Sequence, residues 1–257
     1  MGSTLTTVLP AWLHRRTVGG AAAQQSTPWQ IFRQAALATP YYKCHPIART
    51  SAVELPEFYA RHAEFFNAAA APLPPAPLSA VWDPLPPKTI AISPWFRLLT
   101  PVETELDMGK FPVQGCDVLA APAGALNWLT RQNPGLPSPV YGIIAFTGMS
   151  QRPLTPADRD LFWEVWRTPV FEQYRGFQGE LLGSECQAFA GLHFDKEVAM
   201  WEERSGGDGC GELVVTSLTN LRHPAWRLVT GRRGRVERAA CECGSTMPRV
   251  IWEEPNA

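Results

Sequence analysis

The sequence predicts an α/β fold, in which a sheet with packed helices carries attached antiparallel β-hairpins and an N-terminal helical segment. Three observations support this prediction. Residues 140–146 are rich in β-branched and aromatic side chains, as buried parallel strands are. A helix with a complete start signal follows at 155–166. From residue 181 onward, short apolar runs alternate with turns, which is typical of hairpins.

The composition is that of a folded protein that binds neither nucleic acid nor membrane. Of the 257 residues, 45% are hydrophobic, which argues against disorder. The net charge of −1 argues against binding nucleic acid by neutralising its phosphates. No apolar run approaches the roughly 18 residues that cross a bilayer. The 25 prolines, about twice the usual share, exclude a simple helical bundle.

The N-terminus and the cysteines indicate the cellular compartment in which the protein folds. Six cysteines without a secretory signal predict a cytoplasmic protein whose thiols stay reduced. Residues 1–28 are small and polar, so we expect a loosely ordered tail. Because Arg15 and Arg16 precede the first acidic residue, Glu54, an organellar transit peptide is the alternative interpretation.

An N-terminal helical segment is predicted over residues 29–71. Thr27 supplies a helix cap and Pro28 a first helical residue, and a second helix fits residues 55–70. Seven prolines then fall within residues 72–88. They predict a stiff, extended connector between this segment and the rest of the chain.

An α/β core is predicted over residues 89–180 and a β-hairpin region over 181–257. In the core we expect helices at 122–130 and 155–166, and strands at 89–93, 116–119, 140–146 and 169–174. In the hairpin region we expect strands at 184–188, 192–194, 198–202 and 211–216.

Four residues of the hairpin region form a candidate metal site: Cys186, His193, Cys241 and Cys243. The first two flank a probable turn at Ala190-Gly191, which would bring them together. Three thiolates and an imidazole are ligands that structural, tetrahedral zinc prefers. The alternative is four unligated side chains, with Cys186 buried as a small apolar residue and the other two cysteines acting as a redox pair or loop thiols.

Short motifs in the second half follow a recognisable order: DVL at 117–119, TPVFEQY at 168–174, EC at 185–186, GLH at 191–193, GELVVTSLT at 211–219 and CECG at 241–244. Together they resemble the phenylacetate–CoA ligase branch of the adenylate-forming enzymes, which includes coenzyme F390 synthetase-like proteins. The resemblance runs from about residue 110 to the end and is weak at 32–66. It implies a truncated N-terminal domain of that family, with the C-terminal lid domain absent.

The resemblance also implies a chemistry. Members of the family use ATP and Mg²⁺ to form an acyl-adenylate from a carboxylic acid, and then pass the acyl group to CoA. The positions that hold the nucleotide correspond here to degenerate residues: Tyr174, Arg175, Gly176, Gln178, Thr230, Gly231 and Arg232. A neutral amide at Gln178 is a poor Mg²⁺ ligand, and Arg232 has no acceptor for a ribose hydroxyl. Some relatives with the same Cys/His pattern look like zinc proteins.

These departures predict a pseudoenzyme that does not form adenylates alone. We expect an accessory subunit that binds a protein partner in a biosynthetic complex, a second copy of itself, or a small carboxylate or acyl ligand. A ligand pocket is predicted at Thr147, Gly148 and Met149, where the family's acyl-binding turn lies. The alternative function is a divergent carboxylate–CoA ligase that uses ATP, Mg²⁺ and CoA and is completed by a partner chain.

Arginines crowd the last part of the chain, among them Arg222, Arg227, Arg232, Arg233 and Arg249. They predict either a patch for an anionic ligand or a solvated face that balances the acidic middle of the chain.

Overall fold

The computed structural model describes residues 26–46, 51–69, 81–82, 118–132, 138–139, 142–149, 152–204 and 210–253. The predicted strand at 89–93, nearly all of the connector at 72–88 and residues 1–25 of the predicted tail lie outside the described residues. In the described part, no helix is long and apolar enough to span a membrane.

The N-terminal segment contains three short helices, α1 (Pro28–Ala38), α2 (Pro40–Cys44) and α3 (Leu55–Ala60), and a 3₁₀ turn at His62–Phe65. The predicted cap of α1 is present as a capping box, in which the Thr27 hydroxyl accepts the backbone N–H of Gln30. The helix expected over 55–70 is shorter than predicted. Its continuation is replaced by tertiary hydrogen bonds, since the backbone N–H of Asn67 donates to the carbonyl of Arg222 over 2.7 Å.

Within the described residues, ten strands form one sheet. Their bounds are β1 (Val81–Trp82), β2 (Val118–Pro122), β3 (Gly142–Gly148), β4 (Val170–Arg175), β5 (Leu181–Glu185), β6 (Leu192–His193), β7 (Ala199–Arg204), β8 (Gly211–Ser217), β9 (Leu228–Glu237) and β10 (Arg249–Trp252). Their spatial order is β1-β2-β3-β4-β5-β6-β10-β9-β8-β7.

The predicted fold class is confirmed. Strands β2, β3 and β4 are parallel, while β4 to β10 pair antiparallel, so the hairpins continue the parallel sheet through the β4–β5 pair. Helices α4 (Ala123–Gln132) and α5 (Pro156–Trp166) follow β2 and β3. Both pack on one face of the parallel strands, in a core that includes Leu126, Ile143 and Phe162.

A second core joins the N-terminal helices to the antiparallel strands. It includes Phe32, Phe58, Val215 and Trp226, all of them buried. Tyr42 connects the N-terminal helices to the antiparallel part of the sheet, because its buried hydroxyl accepts the backbone N–H of Trp226 over 2.7 Å. The N-terminal segment therefore packs on the sheet as part of the same hydrophobic interior.

Candidate functional site

The four candidate metal ligands converge at one end of the antiparallel strands. Cys186 follows β5, His193 ends β6, and Cys241 and Cys243 lie in the loop between β9 and β10. Their ligand atoms all lie within 4.8 Å of one another. Strand pairing explains the convergence, since β6 pairs with both β5 and β10.

Two of the distances within this Cys₃His cluster match those of a tetrahedral zinc site. Zinc ligands lie at about 2.3 Å for sulfur and about 2.0–2.1 Å for nitrogen. At the corners of a tetrahedron, two such sulfurs are about 3.8 Å apart, and a sulfur and a nitrogen about 3.6 Å. The sulfurs of Cys186 and Cys241 are 3.8 Å apart, and Cys243 Sγ lies 3.6 Å from His193 Nε2. The cluster is therefore shaped to hold one metal ion.

The imidazole of His193 is oriented for metal binding. Its Nδ1 lies 3.2 Å from the carbonyl of Met247, to which an Nδ1–H can donate. That hydrogen bond leaves the Nε2 lone pair directed at the cluster, as in most metal-binding histidines. Burial lowers the pKa of His193, which favours the neutral ring that a metal requires.

Backbone N–H groups surround the sulfurs. Burial raises the pKa of the Cys186 thiol to about 11, while the N–H groups of Ala188 and Ala190 act in the opposite direction. Burial also opposes ionisation of Cys241, yet the N–H of Cys243 and the neighbouring thiols bring its pKa below the ordinary value. These donors stabilise the thiolate form, which is the form that binds metal.

Gly191 makes the first turn of the cluster possible. Its φ is +106°, in the left-handed region that glycine adopts most readily. A Cβ at this position would lie 2.4 Å from the carbonyl oxygen of Val250. The close approach of the two backbones brings His193 and the β10 end of the loop to the same site.

The positions that the family resemblance assigns to the nucleotide are filled by internal contacts. The Arg232 guanidinium lies 3.0 Å from the Glu172 carboxylate and 4.5 Å above the Trp252 ring. Tyr174 is 2% exposed and packs edge-on against Trp201. The structure brings Tyr174 and Arg232 together, with 5.7 Å between the guanidinium and the phenol ring.

The other positions of that group do not converge on Arg232. Arg175 is buried, donates to the carbonyl of Gly179 over 2.9 Å and lies over the Phe146 ring. Thr230 donates to the carbonyl of Leu213 over 2.8 Å. Gly231, at the next position of β9, has a φ of +71°.

The segment after β4 lies beneath helix α3. Phe177 stacks on Phe58 with ring centroids 4.5 Å apart. Gln178 Nε2 lies 3.0 Å from Nδ1 of His223, whose ring stacks on His62. At Gly176 a Cβ would lie 2.2 Å from the Glu180 side chain, so a larger residue there would have to displace that side chain.

The three residues predicted to line a ligand pocket are packed into the interior. Thr147 is buried and donates to Glu172 over 2.5 Å. Gly148 has a φ of +135°, and a Cβ there would clash with the backbone of Arg175. Met149 is buried, and its carbonyl accepts the hydroxyl of Tyr59 over 2.6 Å. A surface depression lies elsewhere, lined by Val118, Gly142, Ile144, Phe171, Gln173, Ser184 and Glu185.

A buried carboxylate pair was missed by the sequence reasoning. The Glu185 side chain accepts the backbone N–H of Glu172 over 2.6 Å, and Arg159 lies 2.8 Å from Glu185 and 3.7 Å from Glu172. Burial raises the pKa of Glu185 to about 7, although Arg159 acts in the opposite direction. The available signal was the charge of Glu172 directly after the apolar residues Val170 and Phe171 of strand β4.

The arginines near the end of the chain contribute mostly to internal contacts. Arg227 pairs with Glu202 over 3.1 Å, and Arg233 pairs with Glu253 over 3.0 Å. Arg222 lies 5.0 Å above the Phe66 ring. These contacts favour the interpretation in which the arginines balance acidic residues of the chain over that of an anion-binding patch.

No protein-family model and no curated protein matches the chain. Among solved structures, 2-hydroxyisobutyryl-CoA ligase in complex with 2-HIB-AMP and CoA is similar over 52% of this chain and 32% of that chain, with 18% identity and a TM-score of 0.41. VinN with L-aspartate has 15% identity over 51% and 38% of the two chains and a TM-score of 0.31. PA1221, an NRPS protein containing adenylation and PCP domains, has 14% identity over 56% and 34% and a TM-score of 0.34. The matched part spans about a third of each of these structures, and such identities carry no residue roles to this chain.

Proposed function

We propose that this chain is a degenerate relative of the adenylate-forming ligases that forms no adenylate by itself and acts as a zinc-stabilised accessory subunit. The ion pair between Arg232 and Glu172 carries the proposal. Where the family resemblance expects an aspartate that accepts ribose hydroxyls, Arg232 offers only donors. Those donors are already engaged, since Glu172 is buried and lies 3.0 Å away.

The aromatic environment supports the same conclusion. In the family the tyrosine of the adenylate segment helps to hold the nucleotide, whereas Tyr174 here is covered by Arg232, Trp201 and Trp252. A nucleotide would have to displace these packed rings. Opening them would also uncouple Arg232 from the buried Glu172 carboxylate, which is costly when a charge loses its partner.

The Mg²⁺ position gives independent support. The family places a glutamate there, and this chain has Gln178, whose amide contacts His223 over 3.0 Å. Phe177, the neighbouring residue, is stacked beneath Phe58. A neutral amide held in this way offers magnesium neither charge nor a free approach.

ATP–pyrophosphate exchange tests the absence of adenylation. The purified chain is incubated with Mg²⁺, ATP, labelled pyrophosphate and a panel of aromatic, short aliphatic and hydroxy acids. We expect exchange at the level of the protein-free control for every acid. Acid-dependent exchange above that level would favour a divergent carboxylate–CoA ligase instead.

We further propose that the metal in the Cys₃His cluster is zinc and that its role is structural. Support comes from the four-ligand donor set, the S–S and S–N separations, and the hydrogen bond from His193 to Met247. Metal analysis of protein purified without chelator should find one zinc per chain. The Cys241→Ser, Cys243→Ser double variant should lose it, while Cys44→Ser, a change at an exposed cysteine outside the cluster, should keep it.

A protein partner accounts for the aromatic surface of the helical layer. Trp128 on α4 and Trp163 on α5 are 50% and 49% exposed, which is unusual for tryptophan. Sedimentation velocity over a range of concentrations distinguishes a second copy from a different protein. Reversible dimerisation that Trp128→Lys abolishes would identify the homodimer, whereas a strictly monomeric chain would favour a separate subunit.

A further inference from the structure

The four ligands of the Cys₃His cluster differ in their access to solvent. Cys186, His193 and Cys241 are buried, with at most 5% of each residue exposed. Cys243 is only partly buried. A small solute that approaches the cluster therefore meets the sulfur of Cys243 first.

We propose that the Cys₃His cluster is an oxidation site, at which a hydroperoxide converts Cys243 and Cys186 to a disulfide and thereby releases the metal. The inference rests on the metal site proposed above and adds a regulatory reaction to it. An oxidant would therefore change the cluster from a metal-bound form to a metal-free disulfide form.

The positions of the sulfurs allow this pair to form. All the ligand atoms lie within 4.8 Å of one another, so Cys243 and Cys186 need only a short movement to reach a bonding distance of about 2.05 Å. Of the two alternative pairs, Cys186 and Cys241 lie 3.8 Å apart but are both buried, so neither is the sulfur that an oxidant meets first. The other pair, Cys241 and Cys243, lies within one turn. There the N–H of Gly244 donates to the carbonyl of Cys241 over 2.9 Å, and a bridge would distort that turn.

Cys243 also has room to move. It lies next to Gly244, where a Cβ would find no atom within 4 Å, so the backbone on that side of the loop is not confined. Cys186, in contrast, is held in its turn by the hydrogen bond from the N–H of Phe189 to its carbonyl, over 3.0 Å. Oxidation thus moves the loop sulfur towards the fixed one.

With hydrogen peroxide as the hydroperoxide, the reaction balances with one peroxide per disulfide. The Cys243 thiolate attacks the peroxide, the O–O bond breaks, hydroxide leaves, and a sulfenic acid forms. The Cys186 thiolate then attacks that sulfur, so that the S–S bond forms, the S–O bond breaks and a second hydroxide leaves. Two thiolates are oxidised by two electrons, the peroxide is reduced, and solvent protonates both hydroxides.

Loss of two thiolates removes half of the ligand set. His193 and Cys241 remain, and two ligands do not retain a structural zinc. The new bond still ties the turn after β5 to the loop between β9 and β10, which is the connection that the metal supplied. The fold is therefore expected to survive oxidation, and a dithiol with added zinc should restore the original site.

The test uses the full chain with Cys44, Cys116 and Cys210 replaced by serine, so that only the cluster can react. Of these three, Cys44 is exposed and Cys210 partly exposed, and Cys116 lies outside the described residues. The protein is loaded with zinc, and its metal content is measured before any oxidant is added. Failure to load would refute the metal site itself, and this inference with it.

Hydrogen peroxide is then added in increments, and released zinc is followed with a chromophoric chelator while disulfides are mapped by mass spectrometry of unreduced peptides. We expect one zinc released per disulfide formed, a single peptide pair joining Cys186 to Cys243, and full reloading after dithiol treatment with added zinc. Retention of zinc under excess peroxide, or release coupled to a Cys186–Cys241 or a Cys241–Cys243 bridge, would overturn the proposal.

Discussion

Arg232 on β9 and Glu172 on β4 form an ion pair across the sheet, with Nη1 of the arginine 3.0 Å from Oε1 of the glutamate. The two strands are not neighbours in the sheet order, so the pair joins the parallel strands to the antiparallel ones. Glu172 is buried, and its carboxylate also contacts Thr147 and Arg159. Arg232 therefore has a structural role at the position where the family resemblance expects a ribose-binding acid.

Replacement of Arg232 should lower the free energy of unfolding. Arg232→Gln leaves the buried Glu172 carboxylate without its closest cation, and we expect a loss of about 3 kcal/mol in the free energy of unfolding, measured by urea denaturation. Arg233→Gln is the matched control, since its pair with Glu253 is half exposed and is expected to contribute at most about 1 kcal/mol. Equal effects of the two substitutions would contradict a structural role for Arg232.

The start of α5 depends on a carboxylate that several donors share. Asp158 accepts from Arg152 over 2.6 and 2.8 Å, from Asn127 over 2.6 Å and from the backbone and hydroxyl of Thr155. Although burial opposes it, these donors hold the pKa of Asp158 far below its ordinary range. Asp158→Asn should therefore cost about 2 kcal/mol or more in thermal or urea unfolding. Asp160→Asn, an exposed change on the same helix, should be nearly neutral.

The folded protein should become less stable as the pH is lowered, because of His223. Burial, together with the electrostatic effect of the neighbouring His62 and Arg222 side chains, lowers the pKa of His223 from 6.5 to about 4. Between these two values the unfolded chain binds a proton that the folded chain does not, so the free energy of unfolding decreases as the pH falls. His223→Gln should flatten that part of the curve in urea titrations. The Cys₃His cluster is common to the natural sequence and the His223→Gln variant, so only the difference between their curves of stability against pH is informative. Identical slopes would refute the assignment of this pH dependence to His223.

Chelation should loosen the antiparallel end of the sheet. The cluster connects the turn after β5 with the loop between β9 and β10, and bound metal stabilises only the folded form. A strong chelator should lower the Tm of the natural sequence by several degrees. The Cys241→Ser, Cys243→Ser variant should start from the lower Tm and show no further change. A Tm that is unaffected by chelation in both proteins would contradict a structural metal.

Local signals made part of this structure predictable. Helices α1 and α5 begin at Thr27 and Thr155, because their cap residues, prolines and capping-box partners lie within a few positions of each other. The four members of the Cys₃His cluster could be grouped from their chemistry, since thiols and an imidazole near turns are distinctive, and the structure brings them together. Strands β9 and β10 were not predicted. The middle of β9 consists of glycines and arginines, and its strand character comes from pairing with β8 and β10.

Non-local contacts explain the remaining differences. Nothing in the sequence links Glu172 to Arg232, or His62 to His223, because each pair is formed by residues far apart in the chain. The same reason applies to the shortened helix after Leu55, where the N–H of Asn67 bonds to Arg222. The departures from the family's nucleotide motifs were visible in the sequence, whereas the partners that occupy those side chains were not.

Calorimetric titration of the zinc-loaded chain with ATP and Mg²⁺ tests the central claim most directly. Arg232, Tyr174 and Gln178 are engaged within the fold, so we expect no heat beyond that of dilution, even with ATP in large excess. Saturable binding with a micromolar Kd would contradict the account. It would mean that the Arg232–Glu172 pair opens to admit a nucleotide.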